Sequence, residues 1–256
     1  MKRYFKVLTT VLLCLAMLCP VAADALTYQL SDTDISLQVD DTKWYIFTRD
    51  NIRDNPELEE LGIAYDTIHD ILHNNSAYMD AIMFYEDGDY VELFVRKKAI
   101  DSGVANLSNY KDEEVLEFAE EVAKKQNAED FSVYENDYKF ARLEYLDSTL
   151  NYYICEYVTL VNKDNYTLTF QSTSPFVDSE YDEIKRIVDS IRFDVDPSLK
   201  EAKKPSVWSS VIPRALGGAL AGGIAGGIVA LINKKKSKKN TEAYSTDSAY
   251  SANDIE

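Results

Sequence analysis

Residues Tyr152–Ser172 read YYICEYVTLVNKDNYTLTFQS, and this stretch decides the fold class. Tyr152–Val161 is rich in aromatic and β-branched residues, and Thr167-Leu168-Thr169-Phe170 alternates polar with apolar. Between them Asn162-Lys163-Asp164-Asn165 is turn material. Strands joined by so short a turn run antiparallel, because a parallel pair needs a crossover of a dozen residues or more. Lys139–Tyr145 adds a third strand, ended by a turn at Asp147-Ser148. Further upstream, Ala81–Tyr85 and Tyr90–Lys97 flank Glu86-Asp87-Gly88-Asp89 as a hairpin. Leu26–Leu30, Ile35–Val39 and Lys43–Arg49 form an N-terminal meander, interrupted by Ser31–Asp34 and Asp40–Thr42.

Helices separate these groups. Asn55-Pro56-Glu57 supplies an N-cap, a proline in the first turn and an acid beside the helix N-terminus. Leu58, Leu61, Tyr65, Ile68 and Leu72 follow at helical spacing, with Gly62 as a point where the helix can break and restart. Asp112–Gln126 carries the stripe Val115, Phe118, Ala119 and Val122. Glu180–Ile191 carries Tyr181, Ile184, Val188 and Ile191, with Ser179 and Asp182 as a candidate capping box. The order implies an α+β fold: one antiparallel sheet with helices covering its faces.

The ends of the chain imply a place in the cell. Lys2, Arg3 and Lys6 precede the 13-residue apolar run Val7–Cys19, and Ala23-Asp24-Ala25 is an A-x-A exit. These are the parts of a cleavable signal peptide over residues 1–25. Cys19 also admits a lipoprotein signal, although Leu18 stands where a small residue is expected. Near the other end, Ala215–Ile232 (ALGGALAGGIAGGIVALI) holds eighteen uncharged residues. As a helix it spans roughly 27 Å, against roughly 30 Å of bilayer hydrocarbon. Lys234, Lys235, Lys236, Lys238 and Lys239 follow it, whereas only Arg214 precedes it closely. The positive-inside rule then puts the C-terminus in the cytoplasm and residues 26–193 outside, as a single-pass protein of the cell membrane. Residues 194–206 read as a stalk and 207–233 as the transmembrane helix with its flanks. Residues 234–256 form the basic collar and a polar tail unable to bury a core. Trp208 is suited to an interfacial anchor.

Between Leu26 and Pro205 there are 39 acidic and 18 basic residues, a balance of −21. Such a surface repels nucleic acid, anionic lipid and anionic wall polymers. The plainer account is solubility and stand-off. The sharper one is a cationic partner, either a basic peptide or diffuse calcium. Only Cys155 survives removal of the signal, so the mature chain has no internal disulfide. A domain of this size needs none. Export without disulfides fits a Gram-positive-type surface, where the sequons at Asn74, Asn106 and Asn165 stay silent.

Candidate chemistry is sparse. No G-x-S-x-G, S-x-x-K, P-loop or G-x-G-x-x-G occurs, so no catalytic residue and no cofactor is assigned. His69 and His73 stand i,i+4 on the first helix, a spacing that can hold zinc, with Asp66 and Asp70 nearby. No glutamate follows His69, so the zincin pattern is absent and two boundary histidines are the plainer account. Asp87-Gly88-Asp89 is a hairpin turn rather than a calcium loop. Cys155 lies in an alternating strand, where a buried thiol is the default. Tyrosines 134, 138, 145, 152, 153, 157 and 166 crowd the later strands, as core and edge packing or as an aromatic face for a peptide or glycan. Inside the span, Gly218, Gly222 and Gly226 recur every fourth residue, as do Gly223 and Gly227. One small-residue helix face lets a second backbone approach closely, for self-association or docking onto another membrane helix.

The opening strands with Trp44 (Leu37–Phe47), the helix after them, and the closing helix that runs into Ile187-Val188-Asp189-Ser190-Ile191-Arg192-Phe193 resemble the PsbP-like α/β/α sandwich group. The likeness covers Thr27–Asp196. Asn55–Ala81 (NPELEELGIAYDTIHDILHNNSAYMDA) also resembles exported, membrane-anchored proteins of Gram-positive anaerobes. The resemblance implies an antiparallel sheet between helices and a role in binding or assembly, with no catalytic residues to carry over. The expectation is a non-enzymatic, membrane-tethered extracellular module that binds an envelope protein or peptide or assists its assembly. The alternatives are a membrane-organising protein working through its glycine face, and an envelope hydrolase.

Overall fold

The computed structural model describes residues 25–85, 89–100, 103–199 and Trp208. Seven antiparallel strands form the main sheet: β3 (Tyr45–Thr48), β4 (Ala77–Phe84), β5 (Tyr90–Ala99), β6 (Asp130–Glu135), β7 (Lys139–Asp147), β8 (Tyr152–Val161) and β9 (Asp164–Ser172). Their order across the sheet is β3-β4-β5-β9-β8-β7-β6. The β8–β9 hairpin therefore sits at the centre, in register from Val161↔Asp164 to Tyr153↔Ser172. Its turn needs two left-handed residues, and Asn162 (φ 53°) and Lys163 (φ 66°) supply them.

A separate small sheet departs from the single sheet expected from sequence. β1 (Leu26–Gln29), β2 (Ile35–Val39) and β10 (Arg192–Phe193) pair in the order β1-β2-β10. The meander divides because Asp40–Thr42 turns the chain: the backbone N–H groups of Lys43 and Trp44 both donate to Asp40 O at 3.0 Å, and β3 leaves toward β4.

Among the described residues four α-helices complete the fold: α1 (Pro56–Leu61), α2 (Tyr65–Asn74), α3 (Asp112–Gln126) and α4 (Asp178–Asp189). Asn55 caps α1, its Oδ1 accepting from Glu57 N at 2.9 Å. Gly62, left-handed at φ 70°, ends α1, so the periodic run is two helices and not one. α4 begins at Asp178, two residues before its expected start. Glu180 folds back so that its Oε2 accepts from Val177 N at 2.8 Å, and Ser179 and Asp182 do not make the cap.

One face of the main sheet packs Ala81, Leu93, Tyr157, Leu168 and Phe170 with Leu37 of β2 and Ile184, Ile187 and Val188 of α4. On the opposite face, α2 packs Ile68 and Leu72 with Ile82, Phe94 and Ile154. α3 packs Val115, Phe118 and Val122 with Leu143, Val158 and Leu160. Helices therefore lie on both faces. Among the described residues no helix is long and apolar enough to cross a membrane. The proposed signal peptide and the 215–232 span lie outside the described residues, as does the tip of the 86–88 turn.

Candidate functional site

A cleft of about 490 Å³ opens where β7 ends and β8 begins. Its walls are Glu144, Tyr145 and Leu146 of β7, Tyr153 and Ile154 of β8, Phe176 after β9 and Tyr181 of α4. Asn127, Glu129 and Asp130, at the junction of α3 and β6, close the other side. Aromatic rings thus line a mouth that also carries three carboxylates. Leu146 stands 48% exposed beside it, an apolar contact left to solvent.

Charge beside the cleft is organised around Arg142, which contacts the lining residues Glu144 and Tyr181 without lining the cleft itself. Its Nη2 donates to Glu144 Oε1, its Nε donates to Tyr157 OH at 3.3 Å, and its guanidinium lies 6.0 Å from the Tyr181 ring. Tyr181 OH donates to the second oxygen of Glu144 at 3.0 Å. Burial, and then the Glu144 charge, push the Tyr181 hydroxyl up to about 12, so it stays a donor at neutral pH. Glu129 and Asp130 are exposed. With Glu144 and Arg142 counted, the cleft carries −2, from three acids and one base. A lining of this chemistry is suited to a cation flanked by apolar groups.

A second polar arrangement lies buried on the face shared by α2 and α3. Asp80, Glu92 and Glu156 are each 0% exposed. Gln171 Nε2 donates to Glu92 Oε2 at 2.5 Å. Arg96 Nη2 donates to Glu156 Oε1 at 3.3 Å and to Thr169 Oγ1 at 3.1 Å. Apart from a proton that Asp80 and Glu92 can share, both oxygens of Asp80, one of Glu92, one of Glu156 and the Arg96 Nε find no hydrogen-bond partner among the described residues. Burial raises all three carboxyls, and the Asp80 charge raises Glu92 further. Two buried carboxylates side by side strongly disfavour double ionisation, so Asp80 and Glu92 hold at least one proton between them. Among the described residues no group of three His, Cys, Asp or Glu is placed to hold a metal ion.

The residues singled out from sequence fall as follows. His69 and His73 stack on α2 with ring centroids 4.1 Å apart. His73 Nδ1 lies 3.1 Å from His69 O, and His69 Nδ1 lies 3.6 Å from Asp70. Cys155 is buried, and burial pushes its thiol up to about 12, leaving an unreactive group. Three of the seven tyrosines, Tyr152, Tyr157 and Tyr166, are core, and the other four are half-buried. Tyr157 and Tyr166 are buried, Tyr152 accepts from Tyr90 OH, and Tyr134 OH donates to Asp189 at 2.5 Å. Only Tyr145 and Tyr153 of that set reach the cleft. Gly218, Gly222, Gly223, Gly226 and Gly227, and Lys234, Lys235, Lys236, Lys238 and Lys239, lie outside the described residues.

Trp208 departs from the interfacial position expected of it. It is 3% exposed, and its indole packs edge-on to Tyr110 and Phe118, each 5.3 Å away between centroids. The stretch read as a stalk also begins in contact with the domain. Asp194 N donates to Asp34 O at 2.8 Å, and Asp196 N donates to Asn162 Oδ1 at 2.9 Å.

Sequence reasoning missed the cleft because its residues come from five separate elements. The buried carboxylates did leave a signal. Asp80, Glu92 and Glu156 each interrupt a strand that is otherwise apolar on both faces, in MDAI, VELFV and CEYV.

No protein-family profile matches the chain, and neither does any curated protein. Among solved structures it is similar to the solution structure of cyanobacterial PsbP (CyanoP) from Synechocystis sp. PCC 6803. The match has a TM-score of 0.38 and 12% identity, over 68% of this chain and 95% of that one. A likeness this distant says nothing about ligand or partner.

Proposed function

We propose that this chain is a non-enzymatic extracellular module, tethered to the membrane of a Gram-positive-type cell, that binds a cationic segment of another envelope component. The domain is a PsbP-like sandwich in this reading, as the order of elements from Leu37 to Phe193 suggests. The observation that carries the binding role is the cleft at the β7–β8 end, where Tyr145, Tyr153, Phe176 and Tyr181 stand among Glu129, Asp130 and Glu144. Rings supply apolar area and a face for cations, and the carboxylates choose the sign of the ligand. The wider balance of −21 over Leu26–Pro205 adds long-range attraction for the same partner.

The test is peptide binding by the full chain in nanodiscs, using a short Lys/Leu peptide and its Glu/Leu counterpart. The Lys/Leu peptide binds, weakens as salt rises, and loses five- to tenfold affinity with Tyr153→Ala. Equal binding of both peptides, or binding unaffected by Tyr153→Ala, refutes the cleft as the site.

A further inference from the structure

The burial of Trp208 bears on how the domain is held at the membrane. Its ring fills a socket made by Tyr110, at the end of the 103–110 segment, and Phe118, on the inner stripe of α3. Val115 and Leu107 belong to the same apolar cluster. Only six residues, Ser209–Arg214, separate Trp208 from the start of the apolar run at Ala215. Seven residue steps reach at most about 25 Å when fully extended. The buried indole Nε1 has no partner among the described residues, so apolar packing holds the ring.

We propose that Trp208 is an intramolecular latch that seats the start of the membrane anchor in the Tyr110–Phe118 socket and so makes the N-terminal half of α3 the membrane-proximal side of the domain. The latch rests on the tethered reading given above. It replaces a free stalk by a short link. The chain touches the domain at two points beyond β10, Asp196 on Asn162 and Trp208 on Tyr110 and Phe118. The cleft residue Asn127 follows the last turn of α3, nine residues beyond Phe118. Nine residues of helix cover about 14 Å, so the cleft is kept within a few nanometres of the lipid surface. The partner it reaches is accordingly a juxtamembrane segment rather than a distant wall polymer.

The chain has only two tryptophans, which makes the latch directly readable. The full chain is reconstituted in vesicles containing brominated phospholipid, and tryptophan emission is compared among wild type, Trp208→Phe and Phe118→Ala. Trp44, 2% exposed on the other side of the sheet, serves as the internal reference. A latched Trp208 is not quenched by brominated lipid in wild type, and Phe118→Ala makes it quenchable. Because Phe118→Ala also opens a core cavity, Tyr110→Ala is measured in parallel, with near-ultraviolet circular dichroism to confirm folding. Lipid quenching of wild-type Trp208 in protein that co-floats with the vesicles overturns the latch alone. Failure of the chain to co-float overturns the tethered reading and the latch together.

Discussion

The hydroxyl of Tyr90 donates to that of Tyr152 at 2.8 Å, joining β5 to β8 across the end of β9. The two rings meet edge-on at 6.4 Å, and both side chains are buried. β9 ends at Ser172, opposite Val91 and Tyr153, so this pair ties together its two neighbours where the middle strand stops. Tyr90→Phe deletes the donor and leaves the Tyr152 oxygen buried without it, at a cost of about 1–2 kcal/mol. Urea unfolding of the two proteins measures the difference. An unchanged midpoint removes the bridge from the account.

The buried acid pair sets a pH dependence. Burial raises Asp80 to about 7 and Glu92 well above its ordinary range, with the Asp80 charge adding to Glu92. A carboxyl raised on folding binds a proton in the native state that the unfolded chain has already released. Stability from this pair is therefore full below about pH 4 and falls, by roughly 1.4 kcal/mol per pH unit for each proton held, as pH rises toward 7. Glu92→Gln keeps the shape and removes the second charge. Its advantage over wild type should grow between pH 4.5 and pH 7, read as the difference in urea midpoint at each pH. A constant difference shows that Glu92 takes up no proton of its own on folding.

Lys163 occupies a left-handed position, φ 66°, in the central β8–β9 turn. Its backbone N–H donates to Ala105 O and its carbonyl accepts from Ile100 N, so the conformation is fixed from outside. Lys163→Gly keeps both bonds and relieves the Cβ clash, creating the Asn-Gly pair such turns favour. The expected gain is about 0.5–1 kcal/mol, seen as a higher melting temperature. A lower one shows that the lysine side chain matters more than its backbone.

Glycines at 218, 222 and 226 predict contact between spans. Gly222→Ile should lower the signal of a membrane-inserted self-association assay severalfold, while Leu231→Ile leaves it unchanged. Equal signals from wild type and Gly222→Ile discard the idea.

Much of the sheet was legible because its strands alternate or run apolar between turn residues, as Tyr152–Ser172 does. β6 was not. Asp130–Glu135 has half-buried residues at four consecutive positions, and an edge strand with one partner has no clean period to read. The break at Gly62 was visible because only glycine adopts that left-handed geometry without strain. The division into two sheets was invisible, since register across residues far apart in sequence, such as Arg192↔Ser36, has no local signature. The cleft was hidden for the same reason: Asn127, Glu144, Tyr153, Phe176 and Tyr181 meet only after folding. Trp208 was misplaced because an indole near an apolar run looks alike whether it faces lipid or a socket of rings.

The socket for Trp208 has an awkward neighbour. Outside Phe118 the same helix turns Glu113, Glu117 and Glu120 toward solvent. If the domain is tethered as proposed, a body moored there would ride like a like-charged buoy over an anionic bilayer, pulled down by its short line and pushed up by those acids. Dilute medium lengthens the repulsion, and physiological salt confines it to about 8 Å. In that reading ionic strength becomes a dial for the height at which the molecule rides.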